Sequence, residues 1–255
     1  HNDARRQRQM CIRDRFWLSS LSFSIFGVSE FAFRFPSFLF SLLAAYGTFL
    51  IGKELYNERL GKYAGLMLLT SVAFFMINVD VRTDTILIGT ITFSIAKLIQ
   101  YKRSKRWIDL IMGFLFIGLA MCSKGPLGLM IPLITIGTHL FFNKELKTVL
   151  DWKLIIGFII TTLTITPLLI GLYNQWDLHP EKTLYGVKNI SGIKFFLWDQ
   201  SFGRITGSNP FVNNMKEIQS NDPFYFRHTL LWALLPWTIL AVSYTHLRAH
   251  ETINH

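Results

Sequence analysis

The chain has 255 residues, of which 51% are hydrophobic and only 16% are charged, whereas soluble domains carry roughly 25% charged residues. Its two cysteines, Cys11 and Cys122, provide neither a disulfide framework nor a metal-binding spacing. A formal net charge of +10 would suit nucleic acid, but the basic residues cluster in short segments between apolar runs, which is typical of membrane topology. The composition therefore excludes nucleic acid as a partner and predicts an integral membrane protein.

The apolar runs predict a series of membrane helices. A spanning helix needs about 20 mostly apolar residues, so the first run, residues 16–28, is too short and predicts a half-buried or interfacial amphipathic helix that ends at Gly27. Pro36 suits the first turn of the next helix. The predicted spans are residues 35–51, 63–79, 85–99, 107–122, 127–142, 154–172 and, cut short, 228–241. Continuous apolar runs are not the alternation of a barrel, so the predicted fold is all-α, a polytopic transmembrane helical bundle.

The segments between these spans fall into two alternating sets. One set contains three, four and three Lys or Arg residues and comprises residues 53–62, 101–106 and 143–153. The other set contains one basic residue in each of residues 80–84 and 123–126. The positive-inside rule places the first set in the cytoplasm. We therefore expect the two short breaks and the long loop 173–227 on the outer side of the membrane.

This topology gathers unusual ionisable residues at the outer ends of the spans. They are Arg34, Arg82, Asp84 and Lys124. Ionisable groups at membrane depth are costly and tend to mark a substrate path, and Arg and Lys side chains suit phosphate oxygens. Structural alternatives remain open for each: snorkelling of Arg34, pairing of Arg82 with Asp84, helix capping by Asp84, and an ordinary loop position for Lys124.

Metal binding has little support in the sequence. His228, at the start of the last span, could ligate a metal, but a lone histidine is a weak signal. The sequence identifies no cofactor and leaves room for a divalent cation.

Both ends of the chain differ from the apolar core. Residues 1–15 are polar and basic, and residues 242–255 switch abruptly to a His-rich tail. The strings MCIRDR and VSYTHLRAHET resemble translated strands of a transposon sequencing adapter. We therefore expect both ends to be non-native, with residues 16–241 forming the transmembrane helical domain.

Several short motifs resemble one family of membrane enzymes. They are Phe26-Gly27, Glu30, Arg34, Pro36-Ser37, the Arg-x-Asp of Arg82 and Asp84, the Ser-Lys-Gly-Pro of residues 123–126, WDQSFGRITG at 198–207, and HTLLWALLPW at 228–237. Their order and spacing resemble the glycosyltransferase family 39-like enzymes, which have the GT-C fold, over nearly all of residues 16–241. That family includes the lipid A aminoarabinose transferases and the protein O-mannosyltransferases.

The resemblance implies transfer of a sugar from a polyprenyl-phosphate donor to a lipid or protein acceptor on the outer membrane face. It implies that Arg82 and Lys124 bind the lipid phosphate, with Arg34 and Arg204 as second candidates. Asp84 is the catalytic candidate that remains in this sequence. The family's acidic pair lies in an outer loop before the segment that begins here at Phe16. We therefore expect a GT-C-like bundle truncated at both ends, which is inactive by itself although its parent is a glycosyltransferase.

Other functional classes remain. A transporter or flippase for an anionic lipid or solute would use the same cationic outer site, and would be expected to show paired broken helices. A non-catalytic subunit could instead dock a partner through loop 173–227. The composition suits a bacterial inner membrane with the site on the periplasmic side.

Overall fold

The computed structural model describes residues 13–79, 83–145, 151–179, 191–199, 201–203 and 225–253. Within these ranges the protein is helical and contains no strand, which confirms the all-α prediction. The helices are α1 (Arg13–Phe26), α2 (Glu30–Leu55), α3 (Glu58–Thr70), α4 (Val72–Val79), α5 (Asp84–Ser104), α6 (Trp107–Lys124), α7 (Leu127–Phe142), α8 (Lys153–Leu172), α9 (Tyr225–Ala233) and α10 (Trp237–Ile253).

Three of these helices are long and apolar enough to cross a membrane. They are α2, α6 and α8, the last counted through its extension to Asp177. The pair α3 and α4 qualifies as a fourth span if the two are taken together, although they bend by 57° at Ser71. The described residues therefore form a helical membrane bundle, in which the shorter α7 is also apolar.

α5 is the centre of this bundle, although it is not one of the candidate spans. It packs against α2 on one side and α6 on the other. Its buried face includes hydroxyl residues, and these bond to their own helix, as when Thr90 Oγ1 donates to the Ile86 carbonyl at 2.8 Å. Close approach is possible because Gly47 of α2 faces it: a β-carbon there would lie 2.8 Å from the Phe93 nitrogen. Interhelical packing through small residues is typical of membrane helices.

The junction of α1 and α2 depends on Pro36. The expectation that Pro36 lies in a first helical turn was wrong, because Ser29 caps the helix earlier by accepting from the Ala32 N–H at 3.2 Å, and Pro36 is therefore inside α2. Proline has no N–H to donate to the carbonyl four residues back. That carbonyl, of Ala32, instead accepts a 2.6 Å hydrogen bond from Ser22 Oγ of α1.

The exposure pattern of α1 suits a lipid surface. Leu21 and Ile25 are 60% and 66% exposed, whereas Ser19 and Ser22 are buried. In a soluble protein the serines would face water. An apolar outward face is expected for a helix that contacts lipid. The helix ends at Gly27, as predicted, and the φ of this glycine is +74°.

The basic segments predicted as loops are largely helical. α2 continues to Leu55 and α3 begins at Glu58, because Asn57 Oδ1 caps α3 by accepting from the Leu60 N–H at 2.9 Å. Likewise α5 continues to Ser104, and its left-handed C-cap residue, Lys105, has a φ of +54°. The predicted loops 53–62 and 101–106 therefore shrink to two-residue turns.

Two predicted spans are broken, and the breaks meet. The span 63–79 divides at Ser71, and the last span, 228–241, divides between α9 and α10. The Val72 N–H, freed by the first break, donates to the Leu235 carbonyl at 3.0 Å. The Trp237 indole N–H donates to Thr70 Oγ1 at 2.8 Å. The two breaks thus satisfy each other's polar groups, which lipid could not do.

The limit predicted between residues 241 and 242 falls inside α10, and it stays a prediction.

We expect Ser22→Ala to lower the free energy of unfolding by about 1 kcal/mol, because it leaves the Ala32 carbonyl without its donor. In a Pro36→Ala background, the N–H restored at position 36 can bond the same carbonyl, so Ser22→Ala should then cost little. Unfolding of the full-length protein in detergent measures both backgrounds. Ser24→Ala is the control, since Ser24 Oγ bonds only locally to the Leu21 carbonyl. An equal cost of Ser22→Ala in both backgrounds would contradict this assignment.

Candidate functional site

An ion pair joins α5 and α6 at one end of the bundle. Asp84 is the first residue of α5 and Lys124 the last of α6, although they are 40 positions apart. Lys124 Nζ donates directly to Asp84 Oδ1, and the two side chains are 35% and 31% exposed. Each charge is at the helix end that favours it, an anion at an N-terminus and a cation at a C-terminus. Beside the pair, Ser123 Oγ donates to the Thr83 carbonyl at 3.4 Å.

A glycine turn follows Lys124 directly. Gly125 has a φ of +64°, a conformation that residues with a β-carbon rarely adopt. Its N–H donates to the Met121 carbonyl at 2.7 Å, and its carbonyl accepts from the Gly128 N–H at 3.0 Å. The turn therefore ends α6 and starts α7 within two residues, with Lys124 held at its edge.

Residues 191–199 and 201–203 lie against this turn, and we call them the outer cap after the membrane side that the sequence predicts for them. A β-carbon on Gly125 would lie 2.9 Å from the Phe196 carbonyl oxygen and 3.8 Å from Ser201 Oγ. The cap is fixed to the extension of α8, because the Gly192 N–H donates to Asp177 Oδ2 at 3.0 Å. Both the α8 extension, Tyr173–Asp177, and the cap segment Phe195–Asp199 are π-helical, a geometry that occurs frequently at functional sites.

A cavity of about 550 Å³ lies beside the ion pair. Its wall is mostly apolar and comes from α1, α2, α5, α6 and the α8 segment. It is lined by Leu18, Phe40, Ile86, Thr90, Leu119, Cys122, Ser123, Thr164, Pro167, Leu168, Gly171, Leu172 and Gln175. Neither Asp84 nor Lys124 is itself a lining residue, but Ser123 is the direct neighbour of Lys124, and Ile86 is two residues from Asp84. We call this space the outer cavity, after the membrane side that the sequence predicts for this end.

The remaining predicted site residues do not join the pair. Arg34 is 3.9 Å from Glu30 on its own helix, its side chain is 53% exposed, and it is not among the residues that line the outer cavity. Arg82 and Arg204 lie outside the described residues, and so does the side chain of His228. The described residues contain no group of three His, Cys, Asp or Glu side chains placed to hold a metal ion. Asp84 and Lys124 are thus the predicted pair that the fold brings together.

A second cavity, of about 440 Å³, lies at the opposite end, between α5, α6, α7 and α8. The Tyr101 hydroxyl donates to Asp151 Oδ2 at 3.0 Å, and Lys102 Nζ lies 2.6 Å from Glu145 Oε2. A hydrogen bond from the Lys153 backbone N–H lowers the pKa of Asp151, so this carboxylate is ionised when it accepts from Tyr101. Sequence reasoning missed this cavity because its polar residues are far apart in the chain; His139, which also lines it, was the one visible signal.

The opposite end also contains a dense set of charges. Lys97 Nζ lies 3.1 Å from Asp109 Oδ1, whose side chain is only 9% exposed. Arg103 Nη1 lies 3.3 Å from Glu54 Oε2. These pairs connect α2, α5 and α6 at the ends that the positive-inside rule assigns to the cytoplasm.

A profile of the dolichyl-phosphate-mannose-protein mannosyltransferase family matches residues 15–170, more than half of the chain. The chain belongs to this family. The matched stretch contains both members of the ion pair and the outer-cavity wall from Leu18 to Leu168. Family membership and the apolar helices together identify an integral membrane protein of a glycosyltransferase family with a GT-C-like fold, as the sequence motifs predict.

Two curated relatives have names that refer to a lipid phosphate. An undecaprenyl phosphate-alpha-4-amino-4-deoxy-L-arabinose arabinosyl transferase of Wigglesworthia glossinidia brevipalpis is 30% identical over 51% of this chain and 24% of its own length. A second transferase of that name, from Proteus mirabilis, is 25% identical over 87% of this chain and 37% of its own length. An uncharacterized protein of Aquifex aeolicus is 30% identical over 57% of this chain and 32% of its own length. The chain therefore spans between a quarter and two fifths of these relatives. No solved structure matches the chain.

We expect Gly125→Ala to lower the free energy of unfolding by about 1–3 kcal/mol, because a β-carbon is strained at this φ and meets the Phe196 carbonyl. Gly137→Ala is the matched control: it lies within α7 with nothing near its β-carbon position, so it should leave stability unchanged or slightly raised. The midpoint of thermal unfolding in detergent measures both. Equal midpoints for the two variants would show that the outer cap does not constrain the turn.

Proposed function

We propose that this chain is part of a membrane glycosyltransferase that transfers a sugar from a polyprenyl-phosphate donor to a lipid or protein acceptor at the outer membrane face. The observation that carries the proposal is the Asp84–Lys124 ion pair beside an apolar cavity. A site for a lipid phosphate needs both features together, a cation for the phosphate group and an apolar surface for the hydrocarbon chain. The family match and the printed names of the two transferases support the same donor class.

Lys124 is the proposed contact of the donor phosphate. An ammonium group has three N–H donors and no acceptor. Asp84 takes one of these donors in the ion pair, which leaves two for phosphate oxygens. Positive charge at this point stabilises the polyprenyl phosphate as it leaves. Arg82, two residues before Asp84, is proposed to add a bidentate contact, and Arg204 is proposed as a further contact, whereas Arg34 pairs with Glu30 on its own helix and stays outside the site.

Asp84 is proposed to position Lys124 rather than to take the acceptor's proton. Its Oδ1 accepts from the Lys124 ammonium, so this carboxylate is already engaged in orienting the cation. The general base is then proposed to be another carboxylate of the full-length protein. In the reaction, the acceptor oxygen or nitrogen forms a bond to the anomeric carbon, the bond from that carbon to the phosphate oxygen breaks, and the acceptor proton passes to this base.

The proposed membrane orientation follows from charge. The end opposite Asp84 and Lys124 contains Lys102, Arg103, Lys105 and Arg106. By the positive-inside rule that end faces the cytoplasm. α6, a candidate span of 18 residues that begins beside Arg106, is about 27 Å long, so Lys124 at its other end is proposed to lie at the outer face, the periplasmic face of a bacterial inner membrane.

A transporter or flippase is the second candidate, and one observation favours it. The two helix breaks, at Ser71 and between α9 and α10, contact each other, and discontinuous helices form the binding sites of many transporters. Proteoliposomes separate the two functions. A transferase releases sugar from the polyprenyl-phosphate donor, whereas a flippase moves the lipid across the bilayer with the sugar still attached.

In the full-length protein we expect Lys124→Ala to lower kcat/KM for the polyprenyl-phosphate sugar donor by about 100-fold, because a charged donor to the departing phosphate is lost. Initial rates with varied donor measure it. Lys62→Ala is the control: Lys62 pairs with Glu58 on the surface of α3, so it should leave the kinetics unchanged. Undiminished transfer and an unchanged donor KM in Lys124→Ala would remove Lys124 from the site.

A further inference from the structure

Three buried side-chain polar atoms lack a hydrogen-bond partner in the part of the chain that the structure describes. They are Ser19 Oγ, Trp176 Nε1 and Ser201 Oγ. Ser19 follows Leu18 and Trp176 follows Gln175, and both of these neighbours line the outer cavity. Ser201 belongs to the outer cap. A buried polar group without a partner is uncommon in folded proteins and needs an explanation such as a bound water, ion or ligand.

Ser201 is the most informative of the three, because it lies against the Gly125 turn that directly follows Lys124. Only 5% of its surface is exposed. Its Oγ would lie 3.8 Å from a β-carbon on Gly125, the residue that follows Lys124. Its backbone N–H donates to the Trp198 carbonyl at 3.2 Å, which fixes the residue in the cap while the hydroxyl stays free to donate.

The chemistry of the two side chains defines what they can bind together. A lysine ammonium only donates, and a serine hydroxyl can donate once. A ligand group that satisfies both must accept several hydrogen bonds and carry negative charge. A phosphate has this character, and the apolar wall of the outer cavity is suited to the hydrocarbon of a lipid that bears it.

We propose that Ser201 is a phosphate-binding residue whose hydroxyl donates to an oxygen of the polyprenyl phosphate that Lys124 neutralises. This proposal rests on the proposed function and adds a residue of the outer cap to the phosphate site. It gives the cap a function beyond covering the Gly125 turn, because the cap then brings an uncharged hydrogen-bond donor to the phosphate.

Binding of two lipids by the full-length protein in detergent tests the assignment. The probes are undecaprenyl phosphate and undecaprenol, which share a chain and differ in the phosphate. We expect Ser201→Ala to weaken undecaprenyl phosphate binding about tenfold, since a hydrogen bond to a charged group is lost, with undecaprenol binding unchanged. Ser201→Thr, which keeps the hydroxyl, should restore most of the affinity. Ser201→Cys, which keeps the volume but donates weakly, should resemble Ser201→Ala.

The controls separate this proposal from the one on which it rests. Ser191→Ala removes a serine from the same cap that only accepts from the Lys194 N–H, and should change neither affinity. Equal weakening of both lipids by Ser201→Ala would indicate a structural function, and unchanged binding of both would remove Ser201 from the site; either result overturns the assignment. If the unaltered protein does not prefer undecaprenyl phosphate, the proposed function itself fails. If the unaltered protein prefers undecaprenyl phosphate and only Lys124→Ala abolishes the preference, the phosphate site stands without Ser201.

Discussion

The hydrocarbon core of a membrane contains no water to satisfy a backbone N–H or carbonyl, and this constraint organises the bundle. At two departures from a regular helix, a residue of another element supplies the missing bond. Pro36 leaves the Ala32 carbonyl open, and Ser22 of α1 fills it. The break at Ser71 frees the Val72 N–H, and the Leu235 carbonyl accepts it. Short irregular segments are therefore stable because distant helices dock onto them.

The two ends of the bundle meet this constraint in different ways. At the end that contains the C-terminus of α5, charged side chains of α2, α5 and α6 form pairs such as Lys97 with Asp109. At the end that contains Lys124, the ammonium has one acidic partner and two further N–H donors, and buried donors such as Ser201 Oγ have no partner among the described residues. Unused donors beside an apolar cavity suit a ligand.

The sequence predicts the apolar helices well, because hydropathy and length are local properties. The bounds of α7, residues 127–142, were predicted without error. The predicted loops were too long, since capping by Asn57 and the left-handed turn at Lys105 let helices continue into charged segments. The bend at Ser71 could not be predicted locally, because no glycine or proline lies next to it. It depends on contacts such as the one from Trp237 to Thr70, 167 positions away, which no local pattern contains.

For the candidate site, too, the sequence predicted what depends on local properties and missed what depends on helix packing. Topology predicted that Asp84 and Lys124 share one face, because charge in the connecting segments sets orientation. The sequence suggested Arg82 as a partner of Asp84 and did not predict the pairing with Lys124, which depends on how α6 packs on α5. The motif at residues 198–207 indicated this segment, but Ser201 was not singled out, because a serine in a polar segment has no distinguishing pattern until its burial is known.

A cryo-EM structure of the full-length protein with bound undecaprenyl phosphate tests the central claim most directly. We expect the lipid chain in the outer cavity and a phosphate oxygen within about 3 Å of Lys124 Nζ, the distance of a charge-assisted hydrogen bond. A phosphate bound instead at the inner cavity, beside Lys102 and His139, with the outer cavity empty, would contradict the account.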